Sequence, residues 1–262
     1  MALTLDLKEK NVLITGGISG IGLGAAIQFA KAGAKIIVCA ELPVSDGQVQ
    51  AFYKELYPYS NDVHYHQTDV TNHLEIKQLE QDIRNQYGRL DILISNAGKN
   101  IFTTLANCDQ ETWNTNQQLN LESHWLLGKT MRPMLQETEQ GVIIILSSNH
   151  AYSSMQGCFP YNVTKAALLA MVRAMAIEWA PSIRTVGIAP GFIDTPGNQL
   201  WFDSFEDSQK ARTDTIALHP VKRLGTPEQI GAWCVFLCSE YAAFANGTTY
   251  LIDGGRSALM QD

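Results

Sequence analysis

Long hydrophobic runs are absent from this chain of 262 residues. A membrane-spanning helix needs roughly eighteen or more consecutive apolar residues, and no run approaches that length. The N-terminal stretch also lacks the basic start and apolar core that are typical of a signal peptide. We therefore expect a protein with no membrane partner, located in the cytoplasm.

Cysteine is scarce and shows no pattern. The five cysteines are an odd number scattered along the chain, which does not suggest a disulfide framework. Cys234 and Cys238 are four residues apart, but no neighbouring His or Cys would complete a metal shell. We interpret them as small buried hydrophobic residues. The six histidines show no ligand spacing, so no metal is expected.

Positive charge is in deficit as well, with 19 Lys and Arg against 26 Asp and Glu and a net charge of −7. A nucleic-acid partner requires clustered Lys and Arg, so none is expected. The apolar content of 45% and the charged content of 17% are typical of a compact folded chain. No linker-like stretch or repeat interrupts the sequence, which favours one domain over residues 1–262.

Strand-like apolar runs alternate with helix-like stretches throughout the chain. The runs are Asn11–Thr15, Lys35–Ala40, Val63–Thr68, Asp91–Ser95, Val142–Ser147, Thr185–Ala189 and Thr249–Ile252. Most are nearly continuous in Val, Ile and Leu, as expected of strands that are covered on both faces. The pattern predicts an α/β fold, a doubly wound parallel sheet of about seven strands with helices on both faces.

A glycine-rich turn follows the first of these strands, in the run Thr15-Gly16-Gly17-Ile18-Ser19-Gly20-Ile21-Gly22. Glycine is needed where the backbone turns sharply and approaches a pyrophosphate, which then sits at a helix N-terminus. The spacing G-x-x-x-G-x-G differs from the G-x-G-x-x-G fingerprint. Taken alone, the run fits either a dinucleotide-binding turn or an ordinary tight turn.

Four further motifs follow in a fixed order. They are Asn96-Ala97-Gly98 after the fourth predicted strand, Asn120, Ser148 after the fifth strand, and the pair Tyr161 and Lys165. In this order and spacing the motifs resemble the short-chain dehydrogenase/reductase family of classical type, over nearly the whole chain. The resemblance implies a Rossmann-like fold and an enzyme that transfers a hydride between a nicotinamide cofactor and a secondary alcohol or ketone.

The expected catalytic residues are Asn120, Ser148, Tyr161 and Lys165. Hydride transfer makes or consumes an alkoxide, so a group must exchange a proton with the substrate oxygen. Tyr161 is that candidate, and Lys165, four residues later on the same helix face, is expected to lower its pKa. Ser148 would bond the substrate oxygen. Its neighbour Ser147 is the competing candidate, because alternation along a strand lets only one of the two serve.

The resemblance also implies that Asn120 binds water beside Lys165. The alternative for Asn120 is an amide that bonds the backbone inside a helix. The same matching implies a set of cofactor contacts at the turns that follow the strands. These are Gly16, Ser19, Gly20, Ile21, Gly22, Asp69, Val70, Asn96, Ala97, Gly98, Tyr161, Lys165, Pro190, Gly191, Ile193 and Thr195. For Asp69 the alternative is an acid that caps a helix.

The choice between NAD and NADP depends on the end of the second strand, where an acid bonds the ribose 2′-hydroxyl of NAD. Ala40 occupies the usual acidic position, but Glu41 follows it and no Lys or Arg appears before Lys54. A carboxylate there would repel a 2′-phosphate. We therefore expect NAD, with NADP as the alternative.

The stretch 196–218 breaks the strand and helix rhythm and is expected to cover the substrate. Its aromatic residues Trp201, Phe202 and Phe205 either form that cover or pack on the core. Positions expected to line the substrate pocket are mostly polar, namely Lys99, Asn100, His150, Tyr152, Gln156 and Trp201. Of these, His150 is the expected substrate contact, beside Ser148 and Tyr161, because it lies two residues beyond Ser148 and points the same way if the strand continues. The alternative for His150 is a surface histidine in a loop.

The polar pocket favours a small hydroxylated substrate such as a sugar or polyol. One alternative is an NADPH-dependent carbonyl reductase of the 3-oxoacyl type, and another is a catalytically silent dinucleotide-binding protein. The family resemblance implies a homotetramer, formed through the long helices after the fourth and fifth strands and through the C-terminal strand.

Overall fold

A computed structural model of the chain describes residues 4–259. Its strands are β1 (Asn11–Thr15), β2 (Lys35–Ala40), β3 (Val63–Gln67), β4 (Ile92–Ser95), β5 (Phe102–Thr103), β6 (Gly141–Leu146), β7 (Phe159–Pro160), β8 (Ile183–Pro190) and β9 (Thr249–Ile252). Seven of them form one parallel sheet in the order β3-β2-β1-β4-β6-β8-β9. The predicted doubly wound sheet is thereby confirmed.

The helices cover both faces of this sheet. They are α1 (Gly20–Lys31), α2 (Gly47–Leu56), α3 (His73–Tyr87), α4 (Gln110–Gln117), α5 (Ser123–Gln136), α6 (Tyr161–Glu178), α7 (Pro196–Asp203), α8 (Ser208–Ala217) and α9 (Pro227–Cys238). None of the helices within residues 4–259 is both long enough and apolar enough to cross a bilayer.

Two hydrophobic cores lie on opposite faces of the sheet. Val12 and Ile14 of β1 contribute to the core beneath α1, α2 and α9, whereas Leu13 contributes to the core beneath α3, α5 and α6. Successive side chains of a strand point to opposite faces, so one apolar strand supplies both cores. All five residues of β1 are buried. Burial on both faces explains the nearly continuous apolar runs in the sequence.

The carboxyl edge of the sheet carries a pair of short strands that the sequence pattern did not predict. Strand β5 pairs antiparallel with β7, with Phe102 opposite Pro160 and Thr103 opposite Phe159. Strands of two residues have no detectable periodicity, which is why the pattern missed them. The pairing ties the loop after β4 to the start of α6, where Tyr161 lies.

The stretch 196–218 folds into α7 and α8 rather than an irregular loop. Its aromatic residues divide between the two expected roles. Phe202 is fully buried against Phe192, with ring centroids 5.2 Å apart. Trp201 lines the cleft at the carboxyl edge, and Phe205 remains 45% exposed.

Candidate active site

A single cleft of about 1550 Å³ opens at the carboxyl ends of the parallel strands. Open α/β sheets bind their ligands at this edge. The cleft is lined by the sequence-predicted residues Gly16, Ser19, Gly20, Ile21, Glu41, Asp69, Val70, Asn96, Ala97, Gly98, Ser148, His150, Tyr161, Lys165, Pro190, Gly191, Ile193 and Thr195. Residues that are far apart in the sequence therefore share one site. Gly22 and Asn120, predicted as cofactor and catalytic residues, are not part of this lining, and neither is Tyr152, which was expected at the substrate pocket.

The glycine-rich turn has the geometry of a phosphate cradle. Gly16 has φ +63° and Gly20 has φ +52°, both in the left-handed region that favours glycine. A Cβ at Gly16 would lie 3.1 Å from the Cα of Ala97. Ser19 precedes α1 without capping it through its side chain, so the first N–H groups of the helix have no side-chain partner. Close backbone approach and a helix N-terminus are the features that an anion such as pyrophosphate requires.

Gly22 and Asn96 hold this turn together from beneath. A Cβ at Gly22 would lie 2.2 Å from the carbonyl oxygen of Gly16, so only glycine lets the turn close onto α1. The Asn96 side-chain amide donates to the carbonyl oxygens of Thr15 (2.9 Å) and Gly16 (3.3 Å). Gly22, predicted as a cofactor contact, thus also packs against the turn itself. Asn96 both lines the cleft and stabilises the turn.

An ion pair at the end of β2 was not expected from the sequence. Lys99 Nζ lies 3.3 Å from Glu41 Oε1, with the two side chains 69% and 55% exposed. Because β2 and β4 flank β1 in the sheet, the pair reaches across the turn that follows β1. Sequence reasoning considered cations only just after Glu41, and it missed a lysine in the loop that follows β4.

Asp69 shapes the loop between β3 and α3. Its Oδ1 accepts hydrogen bonds from the backbone N–H and the hydroxyl of Thr71, both at 2.8 Å. The capping residue of α3 is Asn72, whose side chain accepts from the backbone N–H of Leu74. Asp69 is therefore not the helix cap that was considered as its alternative role.

Tyr161 is the first residue of α6, and its ring is almost buried at the cleft wall. Phe102 and His150 present their rings edge-on to it, with centroids 5.2 and 6.1 Å away. Burial raises the pKa of Tyr161 to about 12, and the Ser148 side chain acts in the opposite direction by hydrogen bonding. On balance this pKa is thus raised and not lowered as expected, because the desolvation of the phenolate dominates.

Lys165 lies one helical turn beyond Tyr161 and is 3% exposed. Its Nζ donates to the carbonyl oxygen of Leu146 at 2.9 Å and lies 5.5 Å from the centre of the Tyr161 ring. Burial lowers the pKa of this ammonium to about 7. Ser147 donates its hydroxyl proton to the carbonyl oxygen of Lys165 at 2.7 Å. Ser147 thus anchors α6, which leaves Ser148 as the serine beside Tyr161.

Asn120 lies fully buried in a single π-helical turn, Gln118–Glu122, that joins α4 to α5. Its side chain accepts from the backbone N–H of Lys99 (3.0 Å) and donates to the Lys99 carbonyl (2.9 Å). This arrangement matches the backbone-bonding alternative. A Cβ at Gly98 would lie 2.7 Å from Asn120 Oδ1 and 3.6 Å from Lys165 Nζ. Asn120 therefore fixes the loop that passes directly over Lys165.

His150 reaches the site by a different route from the expected one. The strand ends at Leu146, and residues Asn149–Ala151 form a 3-10 turn in which the His150 N–H donates to the Ser148 hydroxyl at 3.2 Å. Its ring still faces Tyr161, and burial lowers its pKa, with a smaller contribution from the charge of Arg256. Tyr152, also expected at the pocket, instead donates to the Thr249 carbonyl outside the cleft lining.

Several cleft residues carried no sequence signal that we could interpret. Phe102 and Cys158 flank His150 and Tyr161, and Cys158 Sγ lies 4.0 Å from His150 Nε2. The C-terminal segment contributes Arg256, Ser257 and Leu259. A signal for this segment did exist, since the run Leu251-Ile252-Asp253-Gly254-Gly255 matched the family and Arg256 follows it directly.

Comparisons with known proteins agree with this geometry. A family model described as enoyl-(acyl carrier protein) reductase matches residues 16–257. Human dehydrogenase/reductase SDR family member 4 is 31% identical over 253 residues, which cover 95% of this chain and 88% of that protein. The 3-oxoacyl-acyl-carrier-protein reductase FabG of Thermotoga maritima is 30% identical, over 96% of this chain and 99% of that protein.

Solved structures show the same relationship. The crystal structure of levodione reductase superimposes with a TM-score of 0.90 at 26% identity, over 97% of this chain and 99% of that one. The aldohexose dehydrogenase of Thermoplasma acidophilum gives a TM-score of 0.87 at 25% identity, over 98% and 97% of the two chains. With its sheet order, its glycine turn and its tyrosine and lysine on one helix, the chain belongs to the short-chain dehydrogenase/reductase family.

Proposed function

We propose that the protein is an NAD-dependent dehydrogenase of a small hydroxylated secondary alcohol, of the sugar or polyol type. The observation that carries this proposal is the convergence of Ser148, Tyr161 and Lys165 on one wall of the cleft. A polar substrate is supported by Asn100 and Gln156, which line the cleft as expected. The structural likeness to an aldohexose dehydrogenase points in the same direction.

The residues of the cleft fit a nicotinamide dinucleotide. A cradle of positive-φ glycines at Gly16 and Gly20 would hold the pyrophosphate, because a side chain at Gly16 would crowd Ala97. Glu41 would bond the adenosine ribose, and Ile193 and Thr195 would face the nicotinamide half. When bound, the dinucleotide supplies the hydride acceptor or donor.

Tyr161 exchanges the proton in this mechanism. With a pKa of about 12 its phenol is protonated at neutral pH, the state that donates a proton to a carbonyl oxygen during reduction. In oxidation the same oxygen accepts the hydroxyl proton of the substrate as a phenolate. Ser148 donates a hydrogen bond to the reacting oxygen, and the Lys165 ammonium stabilises the phenolate by its charge.

NADPH-dependent reduction of a 3-oxoacyl substrate is the second candidate. The specific observation in its favour is the Lys99 ammonium beside Glu41, a cation where a 2′-phosphate would lie. The description of the family model and the FabG relative also name acyl-carrier-protein reductases. NAD-linked oxidation of a small hydroxylated substrate remains the first candidate, because Glu41 would repel a 2′-phosphate and the substrate pocket is polar. A catalytically silent dinucleotide-binding protein is disfavoured, because Ser148, Tyr161 and Lys165 are all present and lie together at one wall of the cleft.

We also propose a homotetramer built through α5, α6 and β9, as in related family members. Each of these elements presents an exposed apolar side chain that contact with another copy of the chain would cover. Trp125 on α5 is 42% exposed, Ile177 on α6 is 79% exposed and Leu251 on β9 is 37% exposed.

Replacing Tyr161 by Phe tests the reaction. Loss of the exchangeable proton is expected to lower turnover by about 10²- to 10⁴-fold and to leave NAD binding intact. Tyr152→Phe is the matched control, because Tyr152 lies outside the cleft lining. Turnover is followed by NADH absorbance with sugars, polyols and simple secondary alcohols. Equal turnover in Tyr161→Phe and the wild type would reject the assigned role.

Replacing Glu41 by Gln tests the cofactor. The wild type is expected to bind NADH more tightly than NADPH, and Glu41→Gln to shift the ratio toward NADPH by about tenfold, since a repelling carboxylate is removed and Lys99 remains. In Glu41→Gln/Lys99→Met the gain for NADPH is expected to disappear. Both affinities are measured by fluorescence titration. Tighter NADPH binding by the wild type would instead support the reductase reading.

Replacing Lys165 by Met separates the function of this lysine from its stability cost. An unfolded lysine titrates near ~10.4 and the buried one near 7, so burial costs stability below pH 7 and the cost declines as pH rises toward the unfolded value. Lys165→Met is expected to raise the free energy of unfolding at pH 7 by about 1–3 kcal/mol, after the loss of the bond to Leu146 is subtracted.

The gain should shrink as pH rises and become a small loss near pH 10.5, where the cost of burial has vanished and only the missing bond to Leu146 remains, while turnover is lost at every pH. Urea unfolding between pH 6 and 10.5 measures the free energy of unfolding of both proteins, with Lys54→Met, at an exposed position, as the control. Destabilisation of Lys165→Met at pH 7 would contradict the expectation.

Light scattering on the purified protein tests the tetramer. We expect a mass four times that of the 28.9 kDa chain. Replacing Ile177 by Lys places a charge on the exposed face of α6 and is expected to lower this mass, with Lys54→Gln as a surface control. A monomer mass for the wild type would refute the assembly.

A further inference from the structure

Two aromatic side chains flank the end of the cleft where Tyr161 lies. Phe102 lies in the segment after β4, Trp201 lies on α7 in the segment after β8, and both line the cleft. Strands β4 and β8 are the two neighbours of β6 in the sheet, and Ser148 follows β6. Because the carboxyl ends of parallel strands share one edge of the sheet, Phe102 and Trp201 lie on either side of Ser148.

The first turn of α7 ties Trp201 to the segment that is proposed to face the nicotinamide. Thr195 caps this helix, and its hydroxyl accepts from the backbone N–H of Asn198 at 3.2 Å. The Asn198 side chain donates to the carbonyl oxygen of Ile193 at 2.7 Å. Trp201 lies within about two helical turns of this cap, so its position is fixed relative to the proposed nicotinamide contacts.

Neighbouring aromatic rings hold Trp201 in place. Its ring centroid lies 5.2 Å from that of Phe202, which is fully buried, and 5.5 Å from that of Phe192. Phe205 meets it edge-on at 4.8 Å. The Arg212 guanidinium covers Phe202, 5.5 Å from its ring centre. Trp201 remains half-buried, so part of its indole lines the cleft as a surface that is already ordered before a ligand binds.

Polar side chains line the same end of the cleft, among them Asn100, Ser153 and Gln156. Their donors and acceptors suit hydroxyl groups, whereas an aromatic surface suits C–H groups. A molecule with an apolar face and a hydroxylated edge satisfies both. A sugar in its closed form has this shape, because C–H groups project from the face of the ring and most hydroxyls from its edge. An open-chain polyol loses more conformational entropy when it presents such a face.

We propose that Trp201 is a stacking surface for the ring of a closed sugar, so that the substrate is a cyclic sugar rather than an open-chain polyol. Phe102 would border the ring on the other side, and the carbinol oxygen would meet Tyr161 and Ser148. Trp201 is then a specificity-determining residue. This inference rests on the proposed dehydrogenase function and narrows its substrate class.

The reaction balances as an oxidation of one ring carbinol. The carbinol C–H bond breaks and its hydride, two electrons and one proton, goes to NAD. The hydroxyl proton goes to the Tyr161 phenolate, and the C–O bond becomes a carbonyl. The product is a lactone when the carbinol is the anomeric carbon and a keto sugar at any other ring carbon. The stacked face takes no part in the bond changes, so Trp201 serves only to bind and orient the ring.

Matched substrates isolate the effect of the ring. Glucose with glucitol and galactose with galactitol share a carbon skeleton, and only the sugar of each pair closes into a ring. Cyclohexanol supplies a ring without further hydroxyls. With NAD, the wild type is expected to prefer the sugar in at least one pair and to prefer that sugar to cyclohexanol.

Variants of Trp201 test whether this preference depends on stacking. Trp201→Leu is expected to lower the ratio of kcat/KM for sugar over polyol by about 5- to 20-fold, mainly through KM, because the contact with the ring face is reduced. Trp201→Phe should retain most of the preference. Trp113→Leu, at a half-buried tryptophan outside the cleft lining, should retain all of it.

Equilibrium binding tests the stacking surface without turnover. The protein saturated with NADH is titrated calorimetrically with methyl glucopyranoside and methyl galactopyranoside, whose rings cannot open, and with the two polyols. Thermal unfolding checks that each variant is folded. Glycoside binding that is weakened in Trp201→Leu and largely restored in Trp201→Phe supports the proposal.

The outcomes separate this inference from the dehydrogenase function. If no substrate is turned over while Trp201-dependent glycoside binding persists, the dehydrogenase function fails and the stacking surface stands. If turnover is found but the wild type prefers the polyols or cyclohexanol, the dehydrogenase function stands and the cyclic-sugar inference is overturned. Absence of glycoside binding, or glycoside binding that Trp201→Leu leaves intact, also overturns it.

Discussion

The contact between Lys165 and the end of β6 is the constraint on which the site depends. The Lys165 ammonium donates to the Leu146 carbonyl, and the Ser147 hydroxyl donates to the Lys165 carbonyl, so two hydrogen bonds join α6 to the carboxyl end of one strand. Burying an ammonium is costly unless its protons find acceptors. This contact satisfies one of them and places Tyr161, one helical turn earlier, at the cleft wall. Desolvation remains evident in the lowered pKa of the lysine.

Side-chain amides hold the loops in place by similar hydrogen bonds. Asn96 bonds the carbonyls of the glycine turn, and Asn120 bonds both backbone groups of Lys99. Each side chain thereby satisfies backbone groups that no strand or helix pairs. The π-helical turn at Asn120 contributes to this contact. It inserts an extra residue into the helix, which directs the Asn120 amide toward the loop over Lys165. The cleft is therefore open in shape but rigid in its backbone.

The sequence was most informative where one residue type has one physical use. Continuous apolar runs predicted the parallel strands, and Gly16 and Gly20 proved to have the positive φ that such a turn requires. Ser148, Tyr161 and Lys165 were predicted from the resemblance of the ordered motifs to a family, and the spacing of Tyr161 and Lys165 also suits one face of one helix. The spacing of Asn120 matched as well, but its hydrogen bonds follow the backbone-bonding alternative.

Contacts between distant segments could not be predicted in this way. Lys99 reaches Glu41 from the loop after β4, and the pairing of β5 with β7 involves only two residues on each side. The raised pKa of Tyr161 was not predicted from the sequence, for a different reason. Sequence spacing showed the neighbouring charge, whereas the burial that outweighs it depends on Phe102 and His150, which come from separate loops. Desolvation is a property of the assembled site and has no local signature.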